Sequence, residues 1–320
     1  MITNLIGQER AIQLLTRAVT LSRVAPAYLF YGASGIGRSI AAGGLARMLL
    51  CQGVPSDKHS LVEQKLRSGN HPDLRWVEPT YTHKGELLTA KQAKEQELTP
   101  KTLPKIRIEQ IRGLIEFIYG HPLEASRQVV IIEEAQTMAE AAANALLKTL
   151  EEPIKATIIL IAPDTDSLLS TIVSRCQRIQ FYPLSPANLE IVLRQLGYSE
   201  IIERPEICAI AQGSPGKAIA AWETLQSIPQ DLLQQLCIKP QHPLDAFKLA
   251  KAITNQLDTP TQLWLVDYLQ YHYWHSDRDL ELIQQWEKTR QQLLSYVQPR
   301  LVWECTLLKL RSCTAKIEQH

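Results

Sequence analysis

A glycine-rich loop between two apolar segments constrains the fold of this chain more than any other sequence feature. The apolar run Ala27 to Tyr31 leads into GASGIGRS at 32–39, and the alanine- and leucine-rich run Ile40 to Leu50 follows. Apolar runs that flank such a loop are typical of a buried strand followed by a helix. A strand, a loop and a helix in this order form a unit from which parallel sheets are built.

The same alternation continues along the first half of the chain. A helical pattern covers residues 8–22, and we expect further helices at 108–119 and 139–150. Short apolar runs predict strands at four more positions, namely 73–77, 128–132, 157–161 and 178–182. Strands that alternate with helices predict the α/β class, with a parallel sheet covered by helices. The stretch Thr80 to Lys105 has few large apolar residues, and we expect a mobile insertion there.

The alternation ends at Pro183, where Leu184-Ser185-Pro186 predicts a link to a new domain. Only helical periods follow this link. We therefore expect a core at 1–183, a small helical domain at 184–225 and an all-α domain at 226–320. The length of 320 residues suits two or three such domains.

Charge and hydropathy exclude several classes of function. The chain carries 34 basic and 33 acidic side chains, so its net charge is too small to hold nucleic acid by overall electrostatic attraction. Any DNA contact must therefore be local. No apolar run approaches the roughly 18 residues that cross a bilayer, and the first residues lack the pattern of a secretory signal. We expect a cytoplasmic protein without a membrane partner.

The six cysteines are scattered without a CxxC pair, at Cys51, Cys176, Cys208, Cys237, Cys305 and Cys313. This spacing encodes neither a disulfide framework nor a zinc site, and His59 and His71 have no partners at ligand spacing. We expect buried, reduced thiols and no bound metal.

The glycine-rich loop matches the phosphate-loop pattern GxxxxGK[ST] except at the lysine, where Arg38 stands. Its candidate nucleotide-binding residues are Gly32, Ser34, Gly35, Gly37, Arg38 and Ser39. Glycines allow backbone N–H groups to surround a phosphate, and the helix amino terminus adds partial positive charge. A guanidinium is wider and planar, so it does not simply replace a compact lysine charge. The loop could therefore bind a nucleotide, or it could only build the fold.

Two adjacent carboxylates, Glu133 and Glu134, follow the predicted strand at 128–132. Open parallel sheets bind ligands at the carboxyl ends of their strands, so these acids are candidates for a nucleotide site. An ATPase normally has aspartate then glutamate there, the first to hold magnesium and the second to orient water. Glu133 is one methylene longer than aspartate, which shifts its carboxylate by about 1 Å in a site that depends on positioning. The alternative is that both acids are solvated residues at a strand end.

Two further segments say little when each is taken alone. The apolar residues of NALLKTLEEP at 144–153 recur three and four apart, which indicates a core-facing helix that Pro153 ends. The segment LLSTIVSRC at 168–176 carries Arg175, and an isolated arginine at a helix end is most often a surface or capping residue.

Taken together, NALLKTLEEP, TIVSRCQ at 171–177, the phosphate loop and a GQ-containing first helix resemble the bacterial clamp-loader subunits of the AAA+ class. NHPDL at 70–74 and IRIEQIRGL at 106–114 are similar to the delta-prime family of DNA polymerase III in particular. The resemblance covers about residues 5–218, and the remainder matches only in length and helical pattern.

This resemblance implies a lid at 184–225, a collar at 226–320 and a place in a hetero-pentameric ring with delta and gamma/tau subunits. Such a complex loads the sliding clamp, beta, onto primer-template DNA, which it contacts without regard to sequence. It also implies that Arg175 is an arginine finger acting in trans on a neighbouring ATP site, with Ser174 in a positioning role. A finger of this kind stabilises the charge that builds on the transferred phosphoryl group.

Four departures from the family pattern fall in the chain's own nucleotide site: Arg38 for lysine, Glu133 for aspartate, Ala162-Pro163 for a polar sensor, and Lys217 for a sensor arginine. They argue against ATP binding and against intrinsic ATPase activity. Many relatives bind zinc with four cysteines, of which Cys51 alone remains here, so we expect no zinc. Two alternatives stay open: an active gamma-type ATPase, and a ring scaffold in which Arg175 has no role.

The last domain holds three aromatic residues at helical spacing, Trp264, Tyr268 and Tyr271, and Tyr273, Trp274 and Trp286 follow them. Aromatic rings can stack on bases, but lysine and arginine are not interleaved here. A packed core or a subunit interface is therefore the favoured interpretation.

Overall fold

The computed structural model describes residues 5–83, 85–96, 98, 102–152, 155–295 and 297–317, with backbone only for 277 and 311–317. The described strands are β1 (Ala27–Tyr31), β2 (Leu74–Val77), β3 (Thr80–His83), β4 (Glu86–Thr89), β5 (Val129–Ile132), β6 (Thr157–Ala162) and β7 (Gln177–Gln180). The described helices are α1 (Glu9–Thr20), α2 (Arg38–Leu50), α3 (His59–Arg67), α4 (Ala90–Glu95), α5 (Ile108–Tyr119), α6 (Glu140–Glu151), α7 (Ser170–Val173), α8 (Pro186–Gln195), α9 (Pro205–Ala211), α10 (Pro215–Ser227), α11 (Gln230–Leu236), α12 (Pro243–Gln256), α13 (Thr259–Asp277), α14 (Leu280–Leu294) and α15 (Pro299–Ile317). Short 3-10 helices lie at Ser56–Lys58, Ala135–Thr137 and Ser199–Glu203.

Five parallel strands form the main sheet in the order β2-β5-β6-β1-β7. Strand β1 lies between β6 and β7, with Leu29 level with both Leu160 and Arg178. Strands β5 and β6 are buried at every residue. Continuous burial requires cover on both faces, which is why these strands are nearly all apolar. The predicted α/β class with a helix-covered parallel sheet is confirmed.

Helices cover the two faces of this sheet because strand residues alternate in direction. Leu29 and Leu160 face one side, where they share a core with Ile111 of α5 and Leu146 of α6. Their neighbours along the strands point to the other side, where α2 contacts β1, β5 and β6. The helix that follows the glycine-rich loop is thereby fixed against the sheet centre.

The stretch 80–105 contains regular structure that the sequence analysis did not predict. Its described residues form an antiparallel hairpin, β3–β4, followed by α4, while its mobility stays a prediction. Thr89 caps α4 by accepting the Gln92 N–H at 3.3 Å, while the Gln92 side chain accepts the Thr89 N–H at 2.9 Å. Among the described residues of this stretch, the buried apolar side chains are Leu88 and Ala93. Composition gave no signal because backbone pairing, rather than a large apolar core, builds this element.

The chain divides into two compact units, Met1–Asn188 and Leu189–His320. The second unit is helical, as predicted, and aromatic rings build its core. Trp286 and Trp303 are fully buried, and Trp286 stacks on Tyr273 with ring centroids 5.8 Å apart. The Trp303 indole N–H donates to the Gln262 side-chain oxygen at 2.9 Å. The packed-core interpretation is confirmed for Trp286 and Tyr273, whereas the division into a lid and a collar stays a prediction.

The prediction of buried thiols is correct for Cys176 and wrong for Cys305, which is exposed on α15. Three others are only half-buried, namely Cys51, Cys208 and Cys237. Cys305 follows Glu304 and lies on the exposed side of α15, whereas Trp303 lies on the buried side. The residue type alone does not indicate on which side of a helix a cysteine lies. The side chain of Cys313 lies outside the described residues. Within the described part of the chain, no helix combines the length and apolarity needed to cross a membrane.

Candidate functional site

The glycine-rich loop follows the carboxyl end of β1, and its three glycines have positive φ angles. Gly32 and Gly37 have positive φ angles of 144° and 100°, which side chains rarely adopt. An added Cβ would lie 2.4 Å from the carbonyl oxygen of Phe181 at Gly32, and 2.4 Å from Leu5 Cδ1 at Gly37. Glycine is therefore required at both positions. Ser34 and Gly35 lie within this loop, and Ser39 is the second residue of α2.

A buried glutamine, Gln8 of the GQ pair at the start of the first helix, connects this loop to the end of the sheet, a role that the sequence analysis did not predict. The Gln8 amide group donates to the carbonyl oxygen of Ile36 at 3.3 Å and to that of Tyr182 at 2.7 Å. Its side-chain oxygen accepts the Tyr182 N–H at 3.1 Å. Its position at the start of the first helix, beside Gly7, was the available signal.

Arg38 turns toward its own protein backbone. Its Nη1 donates to the carbonyl oxygen of Ala162, the last residue of β6. Burial lowers the pKa of the guanidinium, and the carboxylates of Glu133 and Glu134 act in the opposite direction. The structure thus brings together the loop, Arg38 and both predicted acids at the carboxyl ends of the strands.

A third acid, Glu78, joins this group and was missed by the sequence analysis. It follows β2, the neighbour of β5, and Glu133 donates its backbone N–H to the Val77 carbonyl at 2.9 Å. Glu78 is exposed, but partial desolvation by its surroundings raises the pKa of its carboxyl, and the charges of Glu133 and Glu134 raise it further. Glu134 itself is exposed, with a left-handed φ of 46°. Strand order was the missing information, because only the sheet makes residues 78 and 133 neighbours.

Arg175 lies in a different part of the same unit, directly after α7. Its Nη1 donates to the carbonyl oxygen of Thr171 at 3.0 Å, and its Nη2 donates to Glu151 Oε1 at 2.7 Å. Ser174 is exposed, and its hydroxyl donates to the same Thr171 carbonyl at 3.0 Å. Cys176 is buried in the core, where desolvation raises its thiol pKa to about 12. The motif therefore presents two polar residues outward and anchors them with a third that packs inward.

The sheet places Arg175 and the phosphate loop at opposite ends. Strands β1 and β7 are parallel, with Tyr28 level with Gln177 and Tyr31 level with Gln180. The loop follows the carboxyl end of β1, whereas Arg175 precedes the amino end of β7. Three residues of strand separate these levels by about 10 Å, before the loop and the turn are added. Arg175 therefore lies at the end of the sheet opposite the chain's own glycine-rich loop.

Lys217, the remaining candidate, lies in the second unit. Its backbone N–H donates to the Ser214 hydroxyl at 3.2 Å, which caps α10, and its exposed side chain lines a cavity of about 640 Å³. The same cavity includes the ion pair between Asp267 and Arg290. A role for Lys217 in a nucleotide site stays a prediction. Among the described residues, no group of three or more His, Cys, Asp or Glu is placed to hold a metal ion.

Comparisons with known proteins agree over both units. The model of the family "DNA polymerase III, delta subunit" matches residues 7–185, and that of "Cyanobacterial DNA polymerase III delta prime, C-terminal domain" matches residues 187–310. DNA polymerase III subunit delta' of Bacillus subtilis (strain 168) is 37% identical over 186 residues, or 57% of this chain and 50% of that protein. The corresponding protein of Pseudomonas aeruginosa is 36% identical over 197 residues, or 60% of this chain and 54% of that protein. The chain thus spans about half the length of the curated relatives it matches.

A solved structure has the same fold over almost the whole length. It is a DNA polymerase III gamma subunit-related protein from Thermotoga maritima, with a TM-score of 0.51 and 19% identity. The match covers 94% of this chain and 99% of that one, and at this identity it supports the fold alone. Because a family model covers more than half of the chain and the curated relatives named above agree with it, the chain belongs to the delta-prime family of DNA polymerase III.

Proposed function

We propose that this chain is the delta-prime component of a DNA polymerase III clamp loader that does not hydrolyse ATP itself and serves a neighbour's ATP site. It acts in the cytoplasm in a hetero-pentameric ring with delta and gamma/tau subunits, and the ring loads the sliding clamp onto primer-template DNA. The names of the relatives support the complex. The geometry of Arg38 and Arg175 supports the division of roles.

The chain's own nucleotide site lacks the parts that hydrolysis needs. The cation that should meet a phosphate, Arg38, is bonded to the Ala162 carbonyl, at the strand end where a polar sensor is expected. Its charge lies near Glu133 and Glu134, which lowers the attraction of the loop for a phosphate. Glu133 also carries one methylene more than the aspartate that holds magnesium in active relatives. These contacts support the proposal of a silent site.

The observation that carries the proposal is the position of Arg175. It is exposed, it lies at the sheet end opposite the loop, and its guanidinium is oriented by the Thr171 carbonyl and Glu151. A planar guanidinium can donate two parallel hydrogen bonds to a phosphate. An exposed arginine can therefore bind a phosphate that a neighbouring subunit holds. At the ATP of a neighbouring subunit, the Arg175 guanidinium would stabilise the negative charge that develops on the oxygens of the transferred phosphoryl group.

DNA contact is proposed to be local and independent of sequence. The net charge of +1 leaves no bulk attraction for a polyanion, so backbone N–H groups and helix amino termini of the first unit would contact phosphates.

Replacement of Arg175 tests the proposal in a ring reconstituted with gamma or tau and delta from the same organism. We expect Arg175→Ala to slow single-turnover ATP hydrolysis at the neighbouring site by about 10³-fold or more, with clamp loading reduced and assembly intact. Arg194→Ala is the matched control, because Arg194 is also an exposed arginine paired with a carboxylate, Glu190, at 2.7 Å. Unchanged hydrolysis and loading in a normally assembled ring would show that Arg175 has no such role. Magnesium-dependent ATP binding with turnover by the isolated wild-type chain would overturn the silent site.

A further inference from the structure

Glu151 is placed to restrain Arg175. It is the last residue of α6, and its Oε1 accepts a hydrogen bond from Arg175 Nη2 at 2.7 Å. The two residues are 24 positions apart in the chain and meet at the amino-terminal end of the sheet. Both side chains keep contact with solvent, with 35% of the Arg175 side chain and 55% of the Glu151 side chain exposed. The pair can therefore open without disturbing the core.

Helix stability does not explain a carboxylate at this position. The carboxyl end of a helix carries partial negative charge, which disfavours a glutamate in its last turn. Arg175 offsets that repulsion, because its cation lies against the carboxylate. The next residue, Glu152, is also a glutamate, but it accepts a hydrogen bond from the Tyr119 hydroxyl instead. The two acids thus have different partners, and of the two only Glu151 contacts Arg175 in the described part of the chain.

We infer that Glu151 is a positioning residue that holds the Arg175 guanidinium before a neighbour's nucleotide arrives and must release it when the phosphate binds. The inference rests on the proposed function. Carboxylate and phosphate are both anions that use the same N–H fork of an arginine, so they compete for it. While Glu151 is engaged, its negative charge cancels much of the field that Arg175 would direct at a phosphate. The phosphate of an ATP in the neighbouring subunit therefore has to displace Glu151 before it can bind the Arg175 guanidinium.

Glu151→Gln removes this restraint while it keeps a side chain of the same size. In the reconstituted ring we expect the KM for ATP at the neighbouring site to fall by about 1.4- to 5-fold, the factor that corresponds to an exposed ion pair, with kcat unchanged. The difference should shrink at high salt, since screening weakens an exposed pair. Glu152→Gln makes the same change of charge one residue away and should leave KM and kcat unchanged.

Glu151→Asp is the second variant, because it keeps the charge and withdraws the carboxylate by one methylene. We expect Glu151→Asp to lower the KM for ATP, as Glu151→Gln does. Thermal melting and size-exclusion chromatography of each ring establish that the variants fold and assemble.

The outcomes separate the inference from the function on which it rests. If Arg175→Ala slows hydrolysis but Glu151→Gln leaves KM unchanged or lowers kcat, Glu151 does not restrain the finger, while the proposed function stands. If Arg175→Ala itself has no effect, the proposed function fails and the restraint fails with it.

Discussion

Cys176, which follows Arg175, is expected to resist thiol reagents in the native chain. Only 9% of the residue is exposed, and burial raises its pKa from 9.0 to about 12. The thiolate is the reactive form, and each pKa unit changes its population tenfold. At about pH 8, the thiolate fraction falls from roughly one in ten for an ordinary thiol to roughly one in ten thousand. Native Cys176 should therefore react about 1000-fold more slowly than an exposed thiol of ordinary pKa.

The assay is a time course of N-ethylmaleimide labelling, followed by digestion and mass spectrometry of the peptides that contain Cys176 and Cys305. Cys305 is exposed and supplies the internal reference. In urea both peptides should be labelled at similar rates, because unfolding removes the protection. Native labelling of Cys176 within about tenfold of Cys305 would contradict the reasoning. It would mean that the residue after Arg175 does not pack as an anchor.

Two further predictions concern the stability of the first unit. The buried Asp73 carboxylate accepts backbone N–H groups of residues 123–125 at 2.7 to 2.8 Å, so Asp73→Asn should lower the free energy of unfolding by about 2–4 kcal/mol in urea titrations. Asp57→Asn, on the surface, should change it by less than about 0.5 kcal/mol. Because the Cys176 pKa is raised from 9.0 to about 12, the unfolded thiol ionises first, so its contribution is constant below pH 9 and is lost progressively between about pH 9 and 12. At about pH 10.5 the loss should reach about 2 kcal/mol, and a Cys176→Ala variant that shows the same pH dependence as wild type would refute this assignment.

Periodicity and motif spacing predicted most of the first unit. Strand β1 and helix α5 have the predicted bounds, and the other main-sheet strands differ by one or two residues at their ends. The signal was strong because parallel strands covered on both faces must be apolar throughout. It failed for the β3–β4 hairpin, where backbone pairing stabilises short polar strands, and for α3, which buries a single apolar residue, Val62.

Motif spacing likewise predicted the candidate residues, but it did not predict which of them are neighbours in space. The sequence identified Arg38, Glu133 and Arg175, since glycine pattern, strand end and motif are local features. Glu78 was not predicted because only the pairing of β2 with β5 brings it close to the two acids. The contacts of Gln8 were not predicted because its partners lie up to 174 residues away.

By itself, the sequence determined the α/β order, the glycine-rich loop and the motif that carries Arg175, because each depends on residues close together in the chain. Tertiary structure alone decided where the two cations point. Arg38 reaches a carbonyl 124 residues away, and Arg175 reaches a carboxylate 24 residues away. Such partners are set by strand order and helix packing, which bring distant segments together and place the amino end of β7 opposite the loop after β1.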